Sequence, residues 1–264
     1  MKAALLALLM LVPPLAATAA TTSARAATTE EIFAVYAHGD YEQAARLGEA
    51  SHTAPGLAIA ARAVLADEVL RDTPCLSCLE RAEALARQAV VIDPHFAFGQ
   101  VWLAVSLGYQ ARIIGIVKAR LKNSPAQSRA ALDSAVLDDP QNPFAVSALG
   151  GWHIEVVRGG GAYLARIIYD AREKDALALF DRAVRLAPDN VAVHYQIGLA
   201  LAGFDPEKYH ARIAAEFHAA QTAAAATAYE KKMQIRAGEL LGLSNQLAHD
   251  AFELRVRKYQ GFPD

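Results

Sequence analysis

An all-α helical-repeat solenoid is the fold predicted by this 264-residue sequence. The first observation behind it is a recurrence. Pro94, Pro140 and Pro188 each stand five residues after an alanine (Ala89, Ala135 and Ala183), and each opens a new apolar run. The second is composition: 54% of the chain is hydrophobic, alanine supplies much of that share, and runs of β-branched residues are scarce, which favours helices over strands. The third is periodicity, as in the apolar stripe of Ile32, Val35 and Tyr36. Stacked helix pairs of this kind present surfaces to partners more often than they perform chemistry.

Residues 1–26 read as a secretory signal peptide. Lys2 precedes an apolar run over 3–12 that is too short to span a bilayer; Pro13-Pro14 breaks it, and Ala24-Arg25-Ala26 offers a small-x-small cleavage site. Residues 27–264 are then expected to form one repeat domain, secreted into the bacterial periplasm. No later stretch reaches the roughly 18 apolar residues of a membrane span. The mature part carries 24 basic against 28 acidic side chains. That balance argues against nucleic acid or anionic lipid as non-specific partners, since both call for a basic face.

Helices are predicted over 28–38 and 41–52, joined at Gly39-Asp40, with Tyr41, Ala44, Ala45 and Leu47 continuing the apolar stripe. Pro55 opens the second pair, "GLAIAARAVLADEVL" and "CLSCLERAEALARQAVVI", and Ala50 stands five residues before it as in the later repeats. After Pro94 a long helix runs over 95–121, is stopped by Asn123-Ser124-Pro125, and is answered by "AQSRAALDSAVL". After Pro140, "FAVSALGGWHIEVVR" runs into Gly159-Gly160-Gly161, which is expected to break it before "AYLARIIYDA" and the return helix "REKDALALFDRAVRL". The last repeat pairs "NVAVHYQIGLALAGF" with "EKYHARIAAEFHAAQ". Residues 227–258 read as a C-terminal capping helix, and "GFPD" as a frayed tail.

Cys75 and Cys78 lie together in "TPCLSCLERAE". In an exported chain a local disulfide is the default. Thr73-Pro74 reads as a helix start, so Cys75 falls near a helix N-terminus, where the dipole would stabilise a thiolate; a redox-active pair is the alternative. Leu79 follows the second cysteine, which rules out haem attachment, and no second ligand pair stands at zinc spacing.

The repeats resemble the tetratricopeptide (TPR) family. Its second helix carries a small residue twelve before the proline, a large apolar residue eight before and an alanine five before. Ala176, Phe180 and Ala183 fit best, followed by Ser128, Leu132 and Ala135, then Ala82, Ala86 and Ala89. Its first helix carries an apolar and a small residue nine and ten places after the proline: Leu103 and Ala104, Leu149 and Gly150, Ile197 and Gly198. Successive proline spacings of 39, 46 and 48 exceed the family's period of about 34, so insertions are expected near 106–125 and 152–172. The segment with Trp152, His153, Glu155, Phe180 and Ala183 is similar to exported TPR-like proteins allied to the T component of TRAP transporters, and to regulators of microtubule dynamics. That resemblance implies a periplasmic accessory or scaffold that hands a ligand to a transport system.

Inner-face positions four, seven, eleven and fourteen after the prolines are Phe98, Val101, Val105, Gly108; Phe144, Ser147, Gly151, Ile154; and Ala192, Tyr195, Leu199, Ala202. None is charged, so a clamp for a peptide carboxylate is not expected. Either the insertions and the C-terminal helix fill the groove, or an apolar ligand or amphipathic helix binds there. Basic residues alternate with apolar ones in the insertions (Arg112, Lys118, Arg120 and Lys122; Arg158 and Arg166), as on a membrane- or partner-binding helix or an ordinary solvated face.

The eight histidines show no metal-ligand spacing, and His153 reads as a buried structural residue. No nucleophile elbow or phosphate loop is present. The expected function is therefore a non-catalytic scaffold or adaptor for a protein partner, accessory to a transport or envelope system, with no cofactor. The alternatives are a carrier of a small apolar ligand and a CxxC thiol-active protein. The candidate partner or ligand surface comprises Trp102, Tyr109, Arg112, Phe144, Trp152, His153, Arg158, Arg166 and Tyr195.

Overall fold

The computed structural model describes residues 26–71, 73–245 and 249–263, so the predicted signal segment lies, apart from Ala26, outside the described residues. Thirteen helices and no strand occur among them. In order they are α1 (Thr29–His38), α2 (Tyr41–Ala50), α3 (Ala54–Leu70), α4 (Leu76–Ile92), α5 (Ala97–Ile114), α6 (Ile116–Leu121) and α7 (Ser124–Asp138). They continue as α8 (Pro143–Tyr169), α9 (Glu173–Leu186), α10 (Val191–Phe204), α11 (His210–Thr222), α12 (Ala228–Asn245) and α13 (His249–Tyr259).

Local chemistry sets the boundaries. At α1 the Thr28 hydroxyl accepts from Glu31 N–H while the Glu31 carboxylate accepts from Thr28 N–H, a reciprocal cap. Gly39 ends the helix at φ 107°, a left-handed conformation that costs glycine nothing. Asn142 and Asn190 cap α8 and α10 through their side-chain oxygens.

The three prolines make one and the same turn. Phe96, Asn142 and Asn190 donate their N–H to the carbonyls of Asp93, Asp139 and Ala187, so each proline sits at the second position of a four-residue turn, where its fixed φ belongs. The residue before each proline donates to Ala89, Ala135 or Ala183, and all three alanines are 0% exposed. Pro55 does not belong to this set. It lies inside the first turn of α3, capped by Thr53, and Ala50 is exposed.

Helices pack in two layers. α3, α5, α8, α10 and α12 touch in succession, and α4, α7, α9 and α11 each pack between two successive members of that row. Small residues bring the layers together. A Cβ on Gly150 would come within 2.7 Å of the Phe180 ring, and one on Gly198 within 2.7 Å of the Phe217 ring. The row then returns on itself. α12 touches α1, and Arg236 on α12 donates to the carbonyls of Val69 and Leu70 at the C-terminus of α3, at 3.0 and 3.1 Å. A cation there satisfies orphan carbonyls at the negative end of the helix dipole.

Several expectations change in detail. The long helix over 95–121 is interrupted at Gly115 (φ 81°), which separates α6 from α5. The triple glycine does break its helix, at its last member: Gly161 is non-helical (φ 72°, ψ 153°), and α8 continues beyond this kink to Tyr169. The predicted capping helix is two helices, and α12 carries fully buried Met233, Ala237 and Leu240, so it is part of the core. Of the tail predicted to fray, Gly261 is buried and Phe262 half-buried, Pro263 is exposed, and Asp264 lies outside the described residues.

His194, buried between α10 and α11, has an acceptor at each ring nitrogen: Glu216 Oε2 at 2.6 Å from Nδ1 and the Pro188 carbonyl oxygen at 2.7 Å from Nε2. Only the imidazolium can donate to both. The Glu216 hydrogen bond raises its pKa above 6.5, outweighing burial, which lowers it. The folded value thus exceeds the unfolded one, so the stabilisation is complete below about pH 6.5 and is lost as pH rises through the raised value. We predict that the stability gap between wild type and His194→Gln, read from urea melts, is larger at pH 5.5 or so than near pH 8.5.

The glycines supply a second test. Gly150→Ala and Gly198→Ala should each destabilise by about 1–3 kcal/mol, because the methyl meets a packed ring. Gly108→Ala and Gly151→Ala, with nothing within 4 Å of the new methyl, should each stabilise by about 0.5–1 kcal/mol in the same melts.

Candidate functional site

The inner row of helices does not close tightly. Between α3, α5, α8 and α10 lies a cavity of about 410 Å³, within the roughly 300–1,000 Å³ of small-molecule sites. Its walls come from the residues that the helical period turns inward: Leu65, Ala66 and Val69 on α3, Val101, Val105 and Gly108 on α5, Phe144, Ser147 and Gly151 on α8, Ala192 and Leu199 on α10. Gly108 and Gly151 create part of this space, since no atom lies within 4 Å of where their Cβ atoms would stand. Tyr229 of α12 closes the row, its hydroxyl accepting from Gln196 Nε2 at 3.4 Å and held well above pKa 10 by burial.

Besides the exposed Arg120, two cationic groups interrupt the apolar lining. Arg62 on α3 has its guanidinium 4.5 Å from the centre of the Tyr36 ring and 5.3 Å from that of Trp102, with Phe33 and Phe144 just beyond. No carboxylate is paired with it among the described residues. The second group is Arg112, Glu155 and Arg158. Arg112 Nη2 lies 3.2 Å from Glu155 Oε1, and Arg158 Nη2 lies 2.6 Å from Glu155 Oε2. Burial alone would raise the Glu155 pKa, but the two guanidiniums hold it below the usual carboxylate range. One acid between two bases leaves this group net positive, and Arg158 Nε is buried without a hydrogen-bond partner.

The C-terminal tail seals this end. Arg112 Nη1 donates to the Gln260 carbonyl at 2.7 Å, and Gln260 Nε2 donates to the Leu199 carbonyl at 3.0 Å. The Phe262 ring lies under three guanidiniums, those of Arg158, Arg257 and Arg112, at 4.7, 4.9 and 5.7 Å. Gly203 on α10 leaves the space into which the Gln260 amide fits.

Trp102, Tyr109, Arg112, Phe144, Trp152 and Arg158, all among the expected surface residues, meet at this cavity. Trp152 is pinned by its indole N–H, which donates to the Pro125 carbonyl at 2.9 Å. His153, Tyr195 and Arg166 do not line it. His153 is buried behind Trp152, its Nδ1 accepting from Arg172 N–H at 3.2 Å, and burial lowers its pKa. Tyr195 is enclosed in the core against Phe217. His153 stands next to the inward positions rather than on them, whereas Tyr195 shares the face of Ala192 and Leu199 but is fully covered by the core. Arg166 is exposed beyond the Gly161 kink.

The inner-face count missed Arg62 because it began at Pro94, yet Arg62 stands seven residues after Pro55, and Ala66 and Val69 stand eleven and fourteen after it. The uncharged inner face expected from the later repeats is therefore corrected at this end of the row.

Cys75 and Cys78 stand apart from the cavity wall and at disulfide distance, their Cα atoms 5.2 Å apart. The helix cap is Cys75 rather than Thr73: its Sγ accepts from Cys78 N–H at 3.2 Å, and Glu68 accepts from Cys75 N–H at 2.7 Å. Glu68 and the two sulfurs lie within 4.8 Å of one another, but the carboxylate is already engaged by this N–H and by Arg71. No helix among the described residues is long and apolar enough to cross a membrane. Compared with known proteins, the sequence matches no family model and no curated relative.

Gly203→Ala should expel the Gln260 amide and release the tail. The expected result is a loss of about 1–3 kcal/mol together with trimming of the C-terminus by carboxypeptidase, followed by intact mass, under conditions in which the wild-type tail survives.

Proposed function

We propose that this chain is a non-catalytic carrier that holds an elongated apolar ligand with an acidic head group. The observation that carries the reading is the cavity itself: an apolar lining, kept open by Gly108 and Gly151, with an unpaired guanidinium at Arg62 and a net positive group at Arg112, Glu155 and Arg158. An apolar chain gains from leaving water, and an acidic head gains from a cation in a low-dielectric wall. The alternating pairs of inner and outer helices support a TPR-like solenoid as the scaffold of the site. The signal-like residues 1–26 support export to the periplasm, where the Cys75–Cys78 pair acts as a local staple. In this reading the resemblance to transporter accessory proteins fits a protein that delivers its ligand to another.

The test is a fluorescence titration with cis-parinaric acid and with its alcohol analogue. Wild type should bind the acid at one equivalent. Gly151→Phe, which fills the open space, should bind neither probe while keeping its helical circular dichroism. Arg62→Gln should weaken the acid about tenfold and leave the alcohol unchanged, as loss of a charge-assisted contact requires. A wild-type protein that binds neither probe, or a folded Gly151→Phe variant that binds both as before, overturns the reading.

A further inference from the structure

The two insertions meet outside the cavity and build a surface of their own. α6 meets α8 just before the Gly161 kink, where the Ile116 side chain sits over Gly159, and Leu164 and Ile168 beyond the kink line the same cavity as Ile116. On α6, Val117 and Leu121 stand one helical turn apart and are 69% and 83% exposed. Past the kink, Tyr163, Leu164, Ile167 and Ile168 form a second exposed stripe, while Ala165 is buried and Tyr169 packs against Trp152. Exposed apolar side chains scattered singly are ordinary, but a contiguous group on two adjoining helices marks a binding surface.

Its charges are of one sign. From Arg112 to Leu132 and from Val156 to Tyr169 there is no Asp or Glu, whereas Lys118, Arg120, Lys122 and Arg166 are all exposed in these segments. The acids near them are Glu80 on α4, loosely paired with Lys122 at 4.0 Å, Asp170 at the end of α8, paired with Arg172, and Glu173 on α9, which lines a pocket with Arg166. The chain as a whole has a formal charge of −2, so this concentration of cations runs against its average.

We propose that this tip docks on an anionic phospholipid surface. Apolar side chains would enter the interface between head groups and acyl chains, while the Lys and Arg side chains reach the phosphates, as on interfacial amphipathic helices. A protein partner would be expected to offer acids at defined points and to meet some acids in return. A rim with cations in excess around an uncovered apolar patch instead complements a surface that is anionic above and apolar below. The patch adjoins the cavity: the exposed residues Gly115, Ile116, Arg120, Leu164 and Ile168 also line it. The docking surface stands on its own observations, and holds whatever the cavity carries.

Vesicle flotation tests it with the full chain. The protein should float with vesicles of phosphatidylcholine containing 30% or so phosphatidylglycerol and not with pure phosphatidylcholine, and 0.5 M or so salt should weaken binding. Leu121→Glu/Ile167→Glu and, separately, Lys118→Glu/Arg120→Glu should each reduce binding at least tenfold while helical circular dichroism is unchanged. Tyr163→Trp should shift its emission to the blue on the anionic vesicles. Absence of vesicle binding by the wild type, or binding that both double variants retain, overturns the proposal. So does a wild-type dimer in native mass spectrometry that Leu121→Glu/Ile167→Glu dissolves, because the patch would then be covered by a second copy.

Discussion

Everything in this molecule rests on how closely the inner and outer helices cross. Phe180 lies against the bare backbone of Gly150, and Phe217 against that of Gly198, while Ala89, Ala135 and Ala183 are sealed at the ends of the outer helices. A side chain larger than hydrogen at the glycines, or larger than methyl at these alanines, would push the layers apart. The tight crossing fixes the rotation of each inner helix about its axis. That rotation decides which residues face the next inner helix and which are left to face the middle. The cavity is therefore a by-product of packing on the opposite side of the same helices.

Polar chemistry is confined to the joints. Arg236 ties α12 to the end of α3, and Arg112, Glu155 and Arg158 tie the tail to α5 and α8. His194 ties the Pro188 turn to α11 through Glu216. Each joint uses a charged donor on carbonyls or a carboxylate, the class of hydrogen bond that tolerates burial best. Arg62 is the exception, framed by aromatic faces and facing open space. A guanidinium over rings keeps part of its electrostatic compensation without an anion, which is why it can wait for one.

Much of the architecture was legible in the sequence because its signals are local. An alanine five residues before a proline records the end of one helix and the turn that follows, and all of its causes lie within a dozen residues. The small residues at Gly150 and Gly198 were legible for the same reason. The fourth outer helix shows the limit: α11 repeats the spacing of Phe180 and Ala183 as Phe217 and Ala220, but no proline follows to flag it. Pro55 shows the converse, a proline at the expected distance from an alanine that takes a different place in its helix. The site was legible only in part. Phe144 could be read from helical spacing, and Trp102 and Trp152 stand one position from it, whereas the charges that converge on the cavity come from α3, α5, α6 and α8, and no local pattern joins them. Nor could overall composition reveal that an acidic chain gathers cations on α6 and the end of α8.

The joint made by Arg236 has a consequence for the order in which the molecule is built. It links residues separated by 167 positions, and the Arg112–Gln260 contact links residues separated by 148. The helix pairs can form one after another as the chain emerges, since each needs only its neighbour. The wall of the chamber cannot, because Arg236 and Gln260 are made after all of the helix pairs they close upon. Until those arrive the inner face of a nearly complete array stays wet and open, and the chamber comes into existence in a single late step.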